Sequence, residues 1–344
     1  MIHLRQTTNR MTKKQILPKS KKSAKMPDKI SPMLCTLIKE VPGLEEYIYE
    51  IKWDGYRIIG YAGNKKVQLA SRSGLDYTHK YPPVAAALKA IGHDVILDGE
   101  VVVFNEEGNP DFDAVQLYNG HDTPIQYCVF DLLWMDGHNL MDMPLTGRKS
   151  LLEMLLKGNE VLRFSESFED GKALYEEVLK RNLEGIIAKR KDSHYLQGNR
   201  GNDWLKVPTK KRQEFVIGGW AESDKARSFK SLLFGAYERG KLVWIGRSGG
   251  GYKEKEMPGI LKKLKALEIT ESPFENKVLD TKGAAIHWVK PDLVANFEFA
   301  TWTKSGRIRK PATFLGFRLD KKPKQVVREV PKTFGKIEDD GKNE

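Results

Sequence analysis

Tyr47-Ile-Tyr-Glu50-Ile-Lys52-Trp-Asp54-Gly55-Tyr-Arg57-Ile-Ile-Gly-Tyr61 alternates apolar and polar residues on either side of an Asp-Gly pair. In a strand, successive side chains point to opposite faces, so Glu50 and Lys52 share one face. Asp54-Gly55 predicts a tight turn, with Arg57 returning on the next apolar run to make a hairpin. One amine, one carboxylate and one guanidinium are thereby gathered in a short span. The grouping suits covalent chemistry on a phosphate. The amine of Lys52 attacks, Asp54 orients it, and Arg57 grips the anionic substrate in a fork.

Outward from this segment, short apolar runs carry further charges. Leu97-Asp98-Gly99-Glu100-Val-Val-Val-Phe104 sets two carboxylates on one strand face. Their burial needs a metal, a cation or hydroxyls, and the alternative is a strand with one wet face. Tyr127-Cys-Val-Phe130-Asp131-Leu-Leu-Trp-Met-Asp136-Gly137 is a strand closed by an Asp-Gly turn; Phe130 stacks on a base or packs in the core. Glu184-Gly-Ile-Ile-Ala-Lys189 and Trp204-Leu-Lys206-Val-Pro208-Thr-Lys210-Lys211 join charge to short strands. Glu184 offers hard oxygen to a divalent ion, and Lys189 and Lys206 suit phosphate oxygens; solvated strand ends are the plainer reading. Ser71-Arg72-Ser73-Gly74 puts an arginine in a turn. Thr313-Phe-Leu-Gly-Phe-Arg318-Leu-Asp320 alternates, which places Arg318 and Asp320 on one strand face.

The 344 residues suffice for two buried domains, and no apolar run approaches the roughly 20 residues of a membrane helix. Cys35 and Cys128 read as reduced core thiols of a cytosolic protein. The net charge of +12 points to an anionic partner, but residues 1–29 hold nine Lys/Arg against one acid, so eight of those charges lie there. That stretch reads as a disordered basic tail: a DNA tether, a localisation-like stretch (Pro18-Lys-Ser-Lys-Lys22), a transit peptide, or a solvated tail. Candidate strands Val67–Ala70, Val95–Phe104, Tyr127–Trp134 and Gly185–Lys189 mix with candidate helices Pro82–Ile91, Arg148–Leu156 and Lys172–Asn182, which argues for an α+β fold. Beyond Lys211, strands near Glu214–Trp220, Ser231–Tyr237, Lys241–Arg247 and Leu293–Ala300, with a helix over Glu256–Leu267, fit a small Greek-key barrel. The expected division is a tail at 1–29, a first domain at 30–210, a second at 211–328 and a C-terminal tail at 329–344.

In this order, the segments resemble the covalent nucleotidyltransferase superfamily, most closely the ATP-dependent DNA ligases. Arg212-Gln-Glu-Phe-Val-Ile-Gly-Gly219 and Trp288-Val-Lys-Pro-Asp-Leu-Val-Ala295 look like the ligase module of bacterial end-joining ligases. The resemblance implies an adenylation domain of antiparallel sheets and flanking helices, followed by an OB-fold β-barrel. It implies that Lys52 takes AMP from ATP as a phosphoramidate, aligned by Asp54. Glu50 would read the adenine amino group, Phe130 would stack on the ring, and Ile51 would line the nucleotide site. Arg57 and Glu100 would hold the ribose and phosphate region, and Glu100 and Glu184 would serve Mg2+ (or Mn2+). Lys189 and Lys206 would contact the AMP phosphate, Arg72 the nick 5′-phosphate. Arg318 and Asp320 would orient the pyrophosphate leaving group. A cationic neighbourhood is expected to lower the pKa of Lys52.

One position departs from the family. A second lysine usually follows two residues after Lys206, and here Pro208 stands there; Lys210 or Lys211 is expected to supply the charge. The implied substrate is duplex DNA with a nick or end, met by a cytoplasmic, nucleoid-associated monomer without a membrane. An end-bridging protein, and a separate polymerase and nuclease acting in trans, are the expected partners, because those modules have no room in this chain. The competing readings are an RNA ligase or GTP-using capping-type enzyme, and a non-catalytic DNA-binding scaffold.

Overall fold

The computed structural model describes residues 25–329 apart from 64–65, 121–122, 225–226, 280–282 and 304–305. The basic stretch up to residue 24 and the chain from 330 onward lie outside the described residues. The chain divides into two compact units, the first up to Thr209 and the second over Lys210–Val330.

In the first unit the strands are β1 (Leu34–Leu37), β2 (Tyr47–Ile51), β3 (Tyr56–Gly63), β4 (Lys66–Ser71), β5 (Val95–Val103), β6 (Ile125–Met135), β7 (His138–Asn139), β8 (Leu162–Phe164), β9 (Gly185–Arg190) and β10 (Arg200–Pro208). The helices are α1 (Pro82–Lys89), α2 (Phe112–Gln116), α3 (Leu145–Leu156) and α4 (Gly171–Lys180). They build two sheets. One has the order β1-β10-β9-β2; the other runs β4-β3-β5-β6-β7, with β8 on β6. Most pairings are antiparallel, as expected, but β1–β10 and β6–β8 are parallel.

This topology corrects the hairpin reading. β2 and β3 belong to different sheets, so Lys52–Gly55 is a crossover between them and β2 ends at Ile51. Periodicity marks a strand but says nothing about which sheet it joins. Gly55 is needed for close approach, since a Cβ there would stand 2.2 Å from the Val101 carbonyl oxygen.

Side-chain alternation divides each sheet into a core face and a site face. Tyr47, Tyr49, Ile186, Ala188, Leu205 and Val207 pack with Leu174 and Val178 of α4. The other sheet buries Ile58, Leu97, Val101, Tyr127 and Val129 against Val84 and Leu88 of α1 and Leu151, Leu152 and Leu156 of α3. Between the sheets, Ile59, Tyr61, Ile96 and Leu133 meet Trp204 and Tyr195. The order is helix, sheet, sheet, helix, with polar side chains held between the sheets.

The second unit comprises β11 (Arg212–Ala221), β12 (Ser231–Glu238), β13 (Lys241–Ser248), α5 (Met257–Lys265), β14 (Glu268–Ile269), β15 (Ile286–Val289), β16 (Val294–Trp302) and β17 (Ile308–Phe317). β11 pairs with β16 through Val216 and with β15 from Gly219, and its register shifts between the two spans. That irregularity bends one strand across two neighbours. The sheet curls round a core that includes Phe215, Phe234, Phe297 and Phe299, sealed by Met257, Ile260 and Leu264 of α5. Beyond β13, Gly250 and Thr313 make a lone bridge to β17. The barrel is thus partly open, as five-stranded OB-folds are. β17 ends at Phe317, so Arg318 and Asp320 sit beyond the strand in a turn and not, as expected, on its face.

Candidate active site

Register places the first sheet's polar residues. Glu50 lies opposite Ile187, which lies opposite Lys206; Ile48, Lys189 and Trp204 form the next row; Pro208 faces Gly185. The Lys52 backbone N–H donates to the Gly185 carbonyl at 2.9 Å, which extends the site face to the crossover. Gly185 has φ 150°, and a Cβ there would lie 2.5 Å from the Val207 carbonyl oxygen and 2.7 Å from the Pro208 Cα. Pro208 is therefore accommodated at the strand end by a residue with no side chain.

Lys52 is only 23% exposed, and its ammonium is paired with Glu184. Burial pushes its pKa down, but the Glu184 carboxylate, helped by Asp54 and Glu100, outweighs burial and leaves the net shift upward. This reverses the expected lowering. The groups acting on the amine in the free protein are carboxylates, and one cation thought to depress it is engaged elsewhere.

Arg57 is that cation. Its Nε and Nη2 donate to the two Asp98 carboxylate oxygens at 3.0 and 2.7 Å, and the Tyr195 hydroxyl donates to Asp98 at 2.7 Å. Asp98, with no exposed surface, thus meets its cation and hydroxyl. Burial opposes the Arg57 charge, yet Asp98 raises its pKa overall, while burial and Asp98 hold the Tyr195 phenol well above its usual value. The guanidinium sits 5.4 Å from the Phe130 ring centre. Phe130 is the residue skipped where β6 shifts register against β5, a bulge that re-aims a side chain. Glu100 faces Arg57 across β3 and β5. Arg72 lies in the turn after β4, where Gly74 N–H donates to the Ser71 carbonyl at 2.8 Å.

Glu50 is buried in a cage of donors. Lys149 Nζ reaches Oε1 at 2.8 Å, and Lys189 Nζ and the Ser165 hydroxyl reach Oε2 at 3.0 and 3.2 Å. The Lys189 ammonium also lies 4.3 Å from the Phe130 ring centre and 4.4 Å from that of Trp204. Trp53 Nε1 donates to the Ser165 hydroxyl at 3.0 Å, tying the crossover to the same network. Burial drives the Lys149 pKa down, Glu50 opposes this in part, and the Lys189 charge adds to the fall.

Of the sequence candidates, the first unit brings Glu50, Arg57, Glu100, Phe130, Lys189 and Lys206 to facing surfaces of two sheets, with Lys52 and Asp54 in the crossover and Glu184 just before β9. The Ile51 side chain instead turns away from the site and packs on the core face with Tyr47 and Tyr49. Lys210 does not follow Lys206 along the strand. β10 stops at Pro208, the chain bends over 209–210, and Lys210 belongs to the second unit. Within that unit Arg318 donates twice to Asp320, at 2.9 and 2.8 Å. Lys149, Ser165, Tyr195 and the fully buried Asp131–Arg148 pair (2.7 and 2.9 Å) carry no local motif, because each finds its partner only through the fold.

Among the described residues no three His, Cys, Asp or Glu converge as a metal site. Mg2+ takes one or two carboxylates and completes its shell with phosphate oxygens and water. Glu184, with Glu100 close enough to act on the same amine, fits that donor set.

Residues 32–208 match the family model described as ATP dependent DNA ligase domain, and 225–321 match the ATP dependent DNA ligase C terminal region. The chain is 39% identical over 307 residues to the multifunctional non-homologous end joining protein LigD of Mycobacterium bovis, covering 88% of this chain and 40% of that protein. The LigD protein of Pseudomonas aeruginosa is 36% identical over 316 residues, covering 89% and 37%. The chain thus spans about 40% of the length of these curated relatives. The solved structure of mycobacterial DNA ligase D complexed with ATP and MES is 39% identical with a TM-score of 0.65, covering 87% of this chain and 98% of that one.

Proposed function

The chain belongs to the ATP-dependent DNA ligases, and from that premise we propose that it seals 5′-phosphate/3′-hydroxyl breaks in duplex DNA through AMP carried on Lys52. The observation that carries this reading is the partly buried Lys52 amine at the crossover between two sheets, paired with Glu184 and under the influence of Asp54 and Glu100. Three transfers follow: AMP from ATP to Lys52, AMP to the DNA 5′-phosphate, and attack of the 3′-hydroxyl with AMP leaving.

In the first transfer Lys52 must shed both Glu184 and a proton, because only a neutral amine is a nucleophile. When bound, a divalent cation supplies charge neutralisation at the α-phosphate, and Glu184 and Glu100 would hold it. Asp54 keeps the amine aligned as its partner is released. Arg57, its plane fixed by Asp98, presents a preset fork to the ribose and phosphate region. Phe130 offers a ring to the adenine, only the backbone of Ile51 borders the pocket because its side chain packs in the core, and Glu50 accepts from the exocyclic amino group. Lys206 and Lys189 serve the AMP phosphate, Lys189 by leaving Glu50. Arg72 takes the nick phosphate. Arg318 and Asp320, in the second unit, orient pyrophosphate during the first transfer, and Lys210 or Lys211 supplies the charge that Pro208 lacks.

The end-joining role in the relatives' names makes broken ends a second substrate beside nicks. An end-bridging protein and a polymerase and nuclease acting in trans are the proposed partners of a monomer at the nucleoid. No helix among the described residues is long and apolar enough to cross a membrane.

The test is the intact mass of the protein with and without ATP and Mg2+, beside Lys52→Ala, after pre-bound AMP has been stripped with pyrophosphate. A gain of one adenylate in the wild-type chain alone is expected, followed by sealing of a nicked duplex. A gain from GTP and not ATP, or no gain, would overturn the reading.

A further inference from the structure

The reading of Glu50 as the residue that meets the base leaves open what keeps its carboxylate in place. In the free protein Glu50 has three donors, and they are not equivalent. Lys189 sits on Oε2 and over Phe130 at once, so the space beside Oε2 is where the edge of a base on Phe130 would lie. A base entering there takes over the place of the Lys189 ammonium. Lys149 is on the other side. It holds Oε1 at 2.8 Å, donates to the Ser165 backbone carbonyl at 2.8 Å, and lies 4.6 Å from the Phe164 ring centre. The Ser165 N–H in turn donates to the Val129 carbonyl at 2.8 Å, one residue from Phe130. Lys149 is buried, and the preceding residue of α3, Arg148, is locked by two bonds to Asp131, one residue after Phe130.

We infer that Lys149 is a positioning residue for base selectivity: it fixes the Glu50 carboxylate through Oε1, so that Oε2 remains an oriented acceptor when Lys189 leaves. This inference rests on Glu50 reading the base. An ionised carboxylate accepts hydrogen bonds and donates none. Held with Oε2 toward the base, it favours an exocyclic amino group, as in adenine, and opposes a carbonyl at that position, as in guanine. Without Lys149 the carboxylate turns about its last bond and loses the cation that remains after Lys189 departs. Both changes weaken discrimination without removing the acceptor. α3 thereby links the residue under the base to the residue at its edge, because its adjacent Arg148 and Lys149 grip Asp131 and Glu50.

The experiment compares wild type, Lys149→Met, Lys149→Arg and Glu50→Gln. It measures kcat/KM for self-modification by ATP and by GTP, and equilibrium binding of each nucleotide in a Lys52→Ala background. Lys149→Met is expected to lower the ATP-over-GTP preference about tenfold or more in both measurements, the scale of a charged hydrogen bond, and Lys149→Arg to restore most of it. A general loss of structure would depress both nucleotides alike and leave their ratio intact. Should Lys149→Met not fold, Lys149→Gln, a neutral donor of similar size, carries the same test. If Glu50→Gln lowers the preference while folded Lys149 variants keep the wild-type ratio, the inference on Lys149 falls and the reading of Glu50 stands. If Glu50→Gln leaves the ratio unchanged, the reading of Glu50 falls and takes the inference with it.

Discussion

The amine of Lys52 is restrained by one carboxylate, and that restraint has measurable consequences. Glu184 holds the Lys52 pKa above its ordinary value despite burial, so Glu184→Gln should bring it down. At neutral pH without nucleotide, an amine-directed reagent should label Lys52 faster in Glu184→Gln than in wild type, even as adenylylation falls; equal labelling rates would refute the restraint. The sign of the stability effect follows. A lysine whose folded pKa is raised contributes stability that is complete below its unfolded value, ~10.4, and is lost as pH rises through the folded value. The melting-temperature gap between wild type and Glu184→Gln should therefore hold between about pH 7 and 9 and narrow above about pH 10.5; a gap constant throughout would count against the pair. Asp98 is the second residue-scale case. Asp98→Ala leaves Arg57 and Tyr195 without their buried acceptor, and breaking such a pair should cost about 3 kcal/mol by thermal or urea unfolding. A loss below about 1 kcal/mol would mean that water replaces the carboxylate.

Among elements, the division between what the chain spells out and what it hides is physical. Strand cores were legible because period-two alternation and Asp-Gly breaks are local: β5 was expected over Val95–Phe104 and runs Val95–Val103, and β9 was expected over Gly185–Lys189 and runs Gly185–Arg190. The partner of a strand is not a local property, so the crossover from β2 to β3 looked like a hairpin. Lys52, Arg57, Phe130 and Glu184 were candidates from their local sequence, and Glu50 entered only through the family resemblance. Lys149 was reached by neither route, since a lysine beside an arginine on a helix reads as a solvated face, and Glu50 lies 99 residues away. The same limit applies to Lys210. Alternation would carry it onto the face of Lys206 only in an extended chain, and β10 ends at Pro208, whose carbonyl accepts from Tyr175 at 3.2 Å. If Lys210 nevertheless supplies the missing charge, Lys210→Ala should slow adenylylation and sealing about tenfold, a loss on the scale of one charge-assisted hydrogen bond, while Lys206→Ala abolishes both. Unchanged rates in Lys210→Ala, with Lys211→Ala also unchanged, would leave Pro208 uncompensated.

On the scale of the whole molecule the question is how charge is apportioned between chemistry and attachment. The chain carries +12, and residues 1–24 contain seven Lys/Arg and no acid, so more than half of the net charge belongs to a stretch outside the described residues. Within the first unit the cations nearest the proposed chemistry are paired with carboxylates: Arg57 with Asp98, Lys52 with Glu184, and Lys149 and Lys189 sharing the one Glu50, so four positive charges stand against three negative ones. A pocket largely neutralised in this way contributes little long-range attraction for DNA. Affinity for duplex DNA should then come largely from residues that take no part in adenylylation, and it should scale with the number of phosphates they neutralise. Removing residues 1–24 should leave the rate of AMP transfer to Lys52 unchanged. It should also flatten the plot of log affinity for nicked duplex against log salt, by about 0.9 for each phosphate that is no longer neutralised. Binding of the full and shortened chains, measured between about 50 and 200 mM salt, decides the matter. Parallel lines would place the DNA-binding charge on the folded units, whereas a shallower line with an unchanged adenylylation rate would assign attachment to the tail and catalysis to the cleft between the sheets.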